Sequence, residues 1–190
     1  MNVTKYEKSK RKMTALTLFM IISLFVPGPT AWSMSASISL GHRLPEATLL
    51  GQSNTEVQLS ELKGRITILS IVPQLNTPVC DEQTHRFSED IENVEHDVET
   101  VTISTNTYAD QAVFAEKAGI RNITFLSDAP NFDFGKKTGL LLPMHHILQR
   151  VVMVVDEENI IRYIEIVPMS QLPNFAAALD AAKRVLGRKS

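Results

Sequence analysis

The run Arg65 to Val72, Arg-Ile-Thr-Ile-Leu-Ser-Ile-Val, constrains the fold of this chain more than any other segment. It is β-branched and almost wholly apolar, the character of a strand covered on both faces. Residues 78 to 93 follow as a predicted helix, with Val79, Phe87, Ile91 and Val94 near one face, and Val98 to Ser104 returns to a strand pattern. Strand, helix, strand of this length is a βαβ unit.

The flanking segments extend that unit on both sides. Ala47 to Leu50 and Val57 to Leu59 flank Gly51-Gln52-Ser53-Asn54, which reads as a hairpin, and Ser60 to Gly64 as one helical turn closed by glycine. Beyond the βαβ unit, Tyr108 to Ala118 reads as a helix stopped by Gly119. Ile123 to Leu126 reads as a short strand and Asn131 to Lys137 as a helical turn before Gly139. Val151 to Val155 and Ile160 to Val167 form a hairpin across Asp156-Glu157-Glu158-Asn159. Pro173 opens a last helix with Phe175, Leu179, Ala182 and Leu186 at helical spacing. These patterns describe an α/β, thioredoxin-like mixed sheet flanked by helices, with an N-terminal β-hairpin.

The first stretch has a different composition. Lys5, Lys8, Lys10, Arg11 and Lys12 precede an uncharged run from Met13 to Val26, then Pro27-Gly28-Pro29 and small residues. This is the layout of a secretory signal peptide over residues 1–33, with cleavage between 33 and 36 and a single domain over 37–190. The apolar run of 14 residues is shorter than the about 20 that a spanning helix needs. The expected location is therefore periplasmic or extracellular, without a stable membrane span; the alternative is tethering by an uncleaved signal. Removing residues 1–33 takes five basic and one acidic residue from totals of 19 and 21, leaving a net charge of −6. A mildly acidic domain is a poor nucleic-acid binder, and none is expected as a partner.

Cys80 is the only cysteine, so it can make neither an intramolecular disulfide nor a thiolate-rich metal site. A lone cysteine is most often a buried hydrophobe. Here, however, Thr77 suits an N-cap and Pro78 the first helical position, which puts Cys80 third in the helix, just past a strand's carboxyl end. The first-turn N–H groups and the helix dipole favour an anion there, so the spacing points to a nucleophilic thiolate. Asp81 and Glu82 follow at once and either repel that thiolate or face solvent.

The run Val72-Pro73-Gln74-Leu75-Asn76-Thr77-Pro78-Val79-Cys80, with Gln83-Thr84 and Phe87, resembles the peroxidatic loop and helix of the bacterial thiol peroxidases, atypical two-cysteine peroxiredoxins. Similar stretches are Leu126-Ser127-Asp128, Gln149-Arg150-Val151-Val152, Asp156-Glu157, Pro173-Asn174-Phe175 and Ala177-Ala178-Leu179, so the resemblance covers roughly residues 39 to 186. It implies a thiol-dependent peroxidase acting on hydrogen peroxide or small organic hydroperoxides. In it Cys80 is the nucleophile, Thr77 offers a hydroxyl near the sulfur, Arg150 stabilises negative charge and Pro73 shields the pocket. It also implies a homodimer and no cofactor.

One departure from the family's pattern stands out. The resolving cysteine's position is Ala115, in Val113-Phe114-Ala115-Glu116-Lys117-Ala118-Gly119. The sulfenic acid must then be reduced by an external thiol or a thioredoxin-like protein. Asn76 and His85 stand where the family often has Asp and Arg. On the same fold, a non-enzymatic thiol redox sensor and an inactive paralogue are the alternatives. His145-His146, read as extended and pointing apart, brings no carboxylate or thiol cluster, and no metal is expected. His42, His85 and His96 share no spacing. The run Glu89-Asp90, Glu92, Glu95 and Asp97 reads as a solvated helix face, and no phosphate-binding or dinucleotide fingerprint is present.

Overall fold

The alternation of burial along the central strands sets the layers. The computed structural model describes residues 38–92 and 98–187; the expected signal peptide and its cleavage zone lie outside them. In β3 (Ile66–Ile71) every residue is buried. Ile66 and Ile68 join one core cluster, Leu69 and Ile71 the other. The same split recurs in β8 (Val151–Val155), where Val152 and Val154 face the first cluster and Val151, Met153 and Val155 the second. A strand with apolar residues on both faces requires cover on both sides, which is why neither strand shows polar alternation.

The remaining strands are β1 (Thr48–Leu50), β2 (Glu56–Gln58), β4 (Val98–Ser104), β5 (Thr124–Ser127), the short β6 (Leu141–Leu142) and β7 (Ile147–Leu148), and β9 (Ile161–Ile166). Seven of them form one sheet in the order β2-β1-β5-β4-β3-β8-β9. β3, β4 and β5 run parallel, while β8 pairs antiparallel with β3 and β9 antiparallel with β8. The helices are α1 (Pro78–Ile91), α2 (Tyr108–Ala118), α3 (Asp133–Thr138) and α4 (Phe175–Leu186). Phe87 of α1 and Phe175 of α4 meet edge to face at 4.9 Å. Phe114, Ala115 and Ala118 of α2 pack against the same cluster, and Phe134 of α3 belongs to the other.

This is the mixed sheet with flanking helices and N-terminal hairpin that the patterning predicts, and several local details differ. The turn after β2 is a 3-10 helix, Leu59–Leu62. Pro173 lies ahead of α4 rather than in it, because the Asn174 side chain accepts the Ala177 N–H and the helix starts at Phe175, two residues later. The β6–β7 hairpin is absent from the sequence pattern, because two residues per strand show no period to read. His145 and His146 occupy its turn instead of an extended segment, and the His146 ring stacks on Phe132 at 5.5 Å.

Candidate active site

β3 delivers the chain to the end of the sheet, and a short loop turns it into α1. Two residues after β4 hold that loop. Thr105 Oγ1 donates to the Pro73 carbonyl at 3.3 Å, and Asn106 Oδ1 accepts the Leu75 N–H at 2.8 Å. Pro73 is buried, and Leu75 is fully so. Thr77 is the N-cap residue and Pro78 the first helical position, which places Cys80 third, as the spacing predicts. The Thr77 side chain does not cap the helix, however. Its hydroxyl donates back to the Gln74 carbonyl at 3.1 Å, tightening the loop instead.

The buried stripe of α1 is Cys80, Gln83, Thr84 and Phe87, spaced three, four and seven residues from the first. The apolar pattern starts the inward face at Val79, which is only half-buried in the structure. The error has a simple source: two of the four inward residues are polar and find partners inside. Thr84 donates to the Cys80 carbonyl at 2.8 Å, and Gln83 Nε2 to Ser70 Oγ of β3 at 2.8 Å.

Arg150, immediately ahead of β8, completes the cluster from 70 residues away in sequence. Its Nη2 donates to Cys80 Sγ at 3.3 Å and to the Met169 carbonyl at 3.0 Å, and its Nη1 to Gln83 Oε1 at 2.5 Å. Arg150 and Cys80 are each 1% exposed. None of these acceptors is a carboxylate, so a full positive charge is buried against two neutral oxygens and a sulfur. In a medium of low polarisability such a charge is stabilised when the sulfur carries a negative one. The helix N-terminus and the guanidinium therefore both direct donors at the same atom, where they stabilise negative charge that develops during reaction. Arg150 Nε is a buried donor with no hydrogen-bond partner among the described residues.

Asp81 and Glu82 do not crowd the sulfur. Glu82 is exposed, and Asp81 pairs with His85 at 3.3 Å on the outer side of the helix. Ala115 is half-buried in α2, so no second thiol lies on that helix. Among the described residues, no group of three or more His, Cys, Asp or Glu could hold a metal ion. Gln83 is the member of the cluster to which sequence reasoning had assigned no part. Its position three residues after Cys80, on a helix packed against a buried strand, was the available signal.

The geometry has relatives. Residues 39–179 match the Redoxin family model. The thiol peroxidase of Oceanobacillus iheyensis is 35% identical over 148 residues, 77% of this chain and 90% of that protein. The thiol peroxidase of Bacillus subtilis is 33% identical over 163 residues, 85% of this chain and 96% of that one. Among solved structures, a peroxiredoxin-like protein from Aquifex aeolicus is similar with a TM-score of 0.72 and 28% identity, covering 78% of this chain and 88% of that one. A family match running through the Cys80 helix and the Arg150 strand into the first turn of α4, with thiol peroxidase relatives spanning nearly their whole length, has one consequence: the chain belongs to the redoxin family, among the thiol peroxidases.

Proposed function

We propose that the protein is a thiol-dependent peroxidase that reduces hydrogen peroxide or small organic hydroperoxides at Cys80 and is recycled by an external thiol. The observation that carries this reading is the 3.3 Å contact from Arg150 Nη2 to Cys80 Sγ, with both groups buried at the start of α1.

The Cys80 thiolate attacks one peroxide oxygen. An S–O bond forms, the O–O bond breaks, and its electron pair leaves with the distal oxygen, which takes a proton and departs as water or an alcohol. Arg150 faces the charge that moves from sulfur to the departing oxygen, and it is already fixed by Gln83 and Met169. Pro73, buried in the loop ahead of Cys80, shields the pocket from bulk water, and Thr77 ties that loop down by donating its hydroxyl to the Gln74 carbonyl. The product is a sulfenic acid on Cys80. With alanine at position 115, one external thiol displaces its oxygen as water and a second releases the mixed disulfide.

The basic block and short apolar run at the start of the chain support export, with action in the periplasm or outside the cell. The family resemblance supports a homodimer. Rapid mixing of the reduced protein with one equivalent of hydrogen peroxide tests the central claim. Cys80 is expected to convert to sulfenic acid within seconds, and catalytic peroxide consumption is expected once a thiol is added. Slow, stoichiometric oxidation that no thiol turns over would mark a redox sensor instead, and no reaction an inactive paralogue.

A further inference from the structure

A cleft of about 640 Å³ opens between the first turns of α1 and the side of α2, and Cys80 is not among the residues lining it. We infer that this cleft binds the external reductant, and that the reductant is a small zwitterionic thiol of the cysteinyl-peptide class. The inference rests on the peroxidase reading for its purpose, though not for its geometry.

Size comes first. The volume falls within the about 300–1,000 Å³ of sites that enclose a small molecule, and it is a recess between two helices rather than a flat face for a protein partner. Its lining is mixed in kind. Leu75, Val113 and Phe114 supply an apolar wall for methylene groups, and Val113 is 49% exposed. Asp81 and Asp110 bring negative charge, and Lys117 brings a cation. Asp81 is engaged with His85, and Asp110 accepts the Thr107 hydroxyl at 2.7 Å. Lys117 has no hydrogen-bond or ion-pair partner among the described residues. A free ammonium, acids on both walls and an apolar strip between them complement a molecule that carries a carboxylate, an ammonium and a short apolar body. Neutral thiols and bulky lipid thiols use only part of that surface.

Position comes second. Thr77, Pro78 and Asp81 form one wall of the cleft, and these residues surround Cys80 in sequence on the same helical turn. The opposite wall is α2, the helix that carries Ala115 where the family's resolving cysteine stands. A thiol held in the cleft sits across the Cys80 turn from the sulfur. When that turn loosens after oxidation, the bound thiol attacks the sulfenic sulfur. The new S–S bond forms, the S–O bond breaks, and the oxygen leaves as water with the proton of the incoming thiol. A second molecule of the same thiol attacks the mixed disulfide, giving the free disulfide and restoring the Cys80 thiol.

S-methylglutathione cannot react, so its titration into 15N-labelled Cys80→Ser protein reads the cleft without any peroxide chemistry. Saturable amide shifts at Asn76, Asp110, Val113 and Lys117 are expected, weakened about ten- to hundredfold in affinity by Lys117→Glu. The absence of shifts, or shifts elsewhere on the surface, overturns the inference. In turnover, the ratio of glutathione efficiency to 2-mercaptoethanol efficiency is expected to fall about tenfold or more in Lys117→Glu, because only glutathione presents a carboxylate. An unchanged ratio, or turnover supported by a thioredoxin-like protein and not by glutathione, overturns it as well. Peroxide oxidation of Cys80 measured with no thiol present reports on the peroxidase reading alone, so the two can fail separately.

Discussion

Arg150 and Asp128 are both ionisable side chains sealed in the interior, at 1% and 2% exposure, and they are satisfied in opposite ways. Asp128 sits beside α3, where its two carboxylate oxygens accept the backbone N–H groups of Phe134 at 2.8 Å and Gly135 at 2.9 Å. The packing around that contact is tight. A Cβ on Gly135 would lie 2.6 Å from the Leu148 side chain and 3.0 Å from the Asp128 carboxylate, so glycine is required for the approach. Every side-chain hydrogen bond of Asp128 is local, and what it holds is a turn. Arg150 instead joins three separate segments and leaves Nε unused. Polar burial that is complete and local serves the fold; polar burial that converges on a nucleophile with a donor to spare serves chemistry.

The sharpest break in that comparison is at the sulfur itself. Cys80→Ser is expected to abolish peroxide consumption while leaving the thermal unfolding midpoint nearly unchanged, because a hydroxyl fits the thiol's place beside Arg150. Peroxide turnover equal to wild type in an assay with excess thiol would place the chemistry elsewhere. Next is the guanidinium. Arg150→Met keeps much of the volume and removes the donors, and a loss of about 10²- to 10³-fold in the peroxide rate constant is expected, the usual cost of a missing anion-stabilising donor. Iodoacetamide alkylation at pH 6 should slow with it, since both reactions use the thiolate. Asp128→Asn should change neither rate.

Asp128 answers to pH instead. Burial raises its carboxyl from 3.8 to about 6, with the two backbone N–H groups opposing the rise. Between those values the folded chain binds more protons than the unfolded one. Asp128 therefore adds stability that is fully present below pH 3.8 and is lost as pH rises through about 6. The difference is on the order of 3 kcal/mol. Urea unfolding at pH 4 and pH 7 measures it: the stability of wild type relative to Asp128→Asn should rise by about 2–3 kcal/mol from pH 7 to pH 4. A gap independent of pH would mean that the carboxyl titrates normally despite its burial.

How much of this was legible beforehand depended on range. β4, α2 and β8 have the predicted limits, because a run of apolar residues or a helix ended by Gly119 carries its own punctuation. The position of Cys80 on α1 was readable from Thr77-Pro78 for the same reason. What stayed hidden was interior and polar. Gln83 and Thr84 count as surface residues in any hydrophobic pattern, yet both are buried because Ser70 and the Cys80 carbonyl await them. Arg150 reads locally as a charge before a strand, and only the family resemblance pointed to its meeting with a residue 70 positions earlier. The cleft between α1 and α2 left no trace in the pattern at all, since its lining comes from two helices whose spacing only the folded sheet sets.

Gln83 tests whether the Arg150 cluster is arranged or merely packed. Its amide oxygen holds Arg150 Nη1 at 2.5 Å and its amide nitrogen holds Ser70 at 2.8 Å, so the side chain ties the guanidinium to both α1 and β3. Gln83→Leu fills a similar volume but takes away that acceptor. Arg150 is then left with the sulfur and the Met169 carbonyl, both on one nitrogen, and the plane of the guanidinium loses its second fixed point. One hydrogen bond to a charged group is worth about 1.5–3 kcal/mol, and only part of it acts on the reaction, so a fall of about tenfold in the peroxide rate constant is expected. Gln83→Glu keeps an acceptor for Arg150 but adds a carboxylate that competes with the sulfur for the guanidinium's charge, so its rate should fall as well. If Gln83→Leu reacts as fast as wild type, the sulfur and the Met169 carbonyl alone hold Arg150 in place.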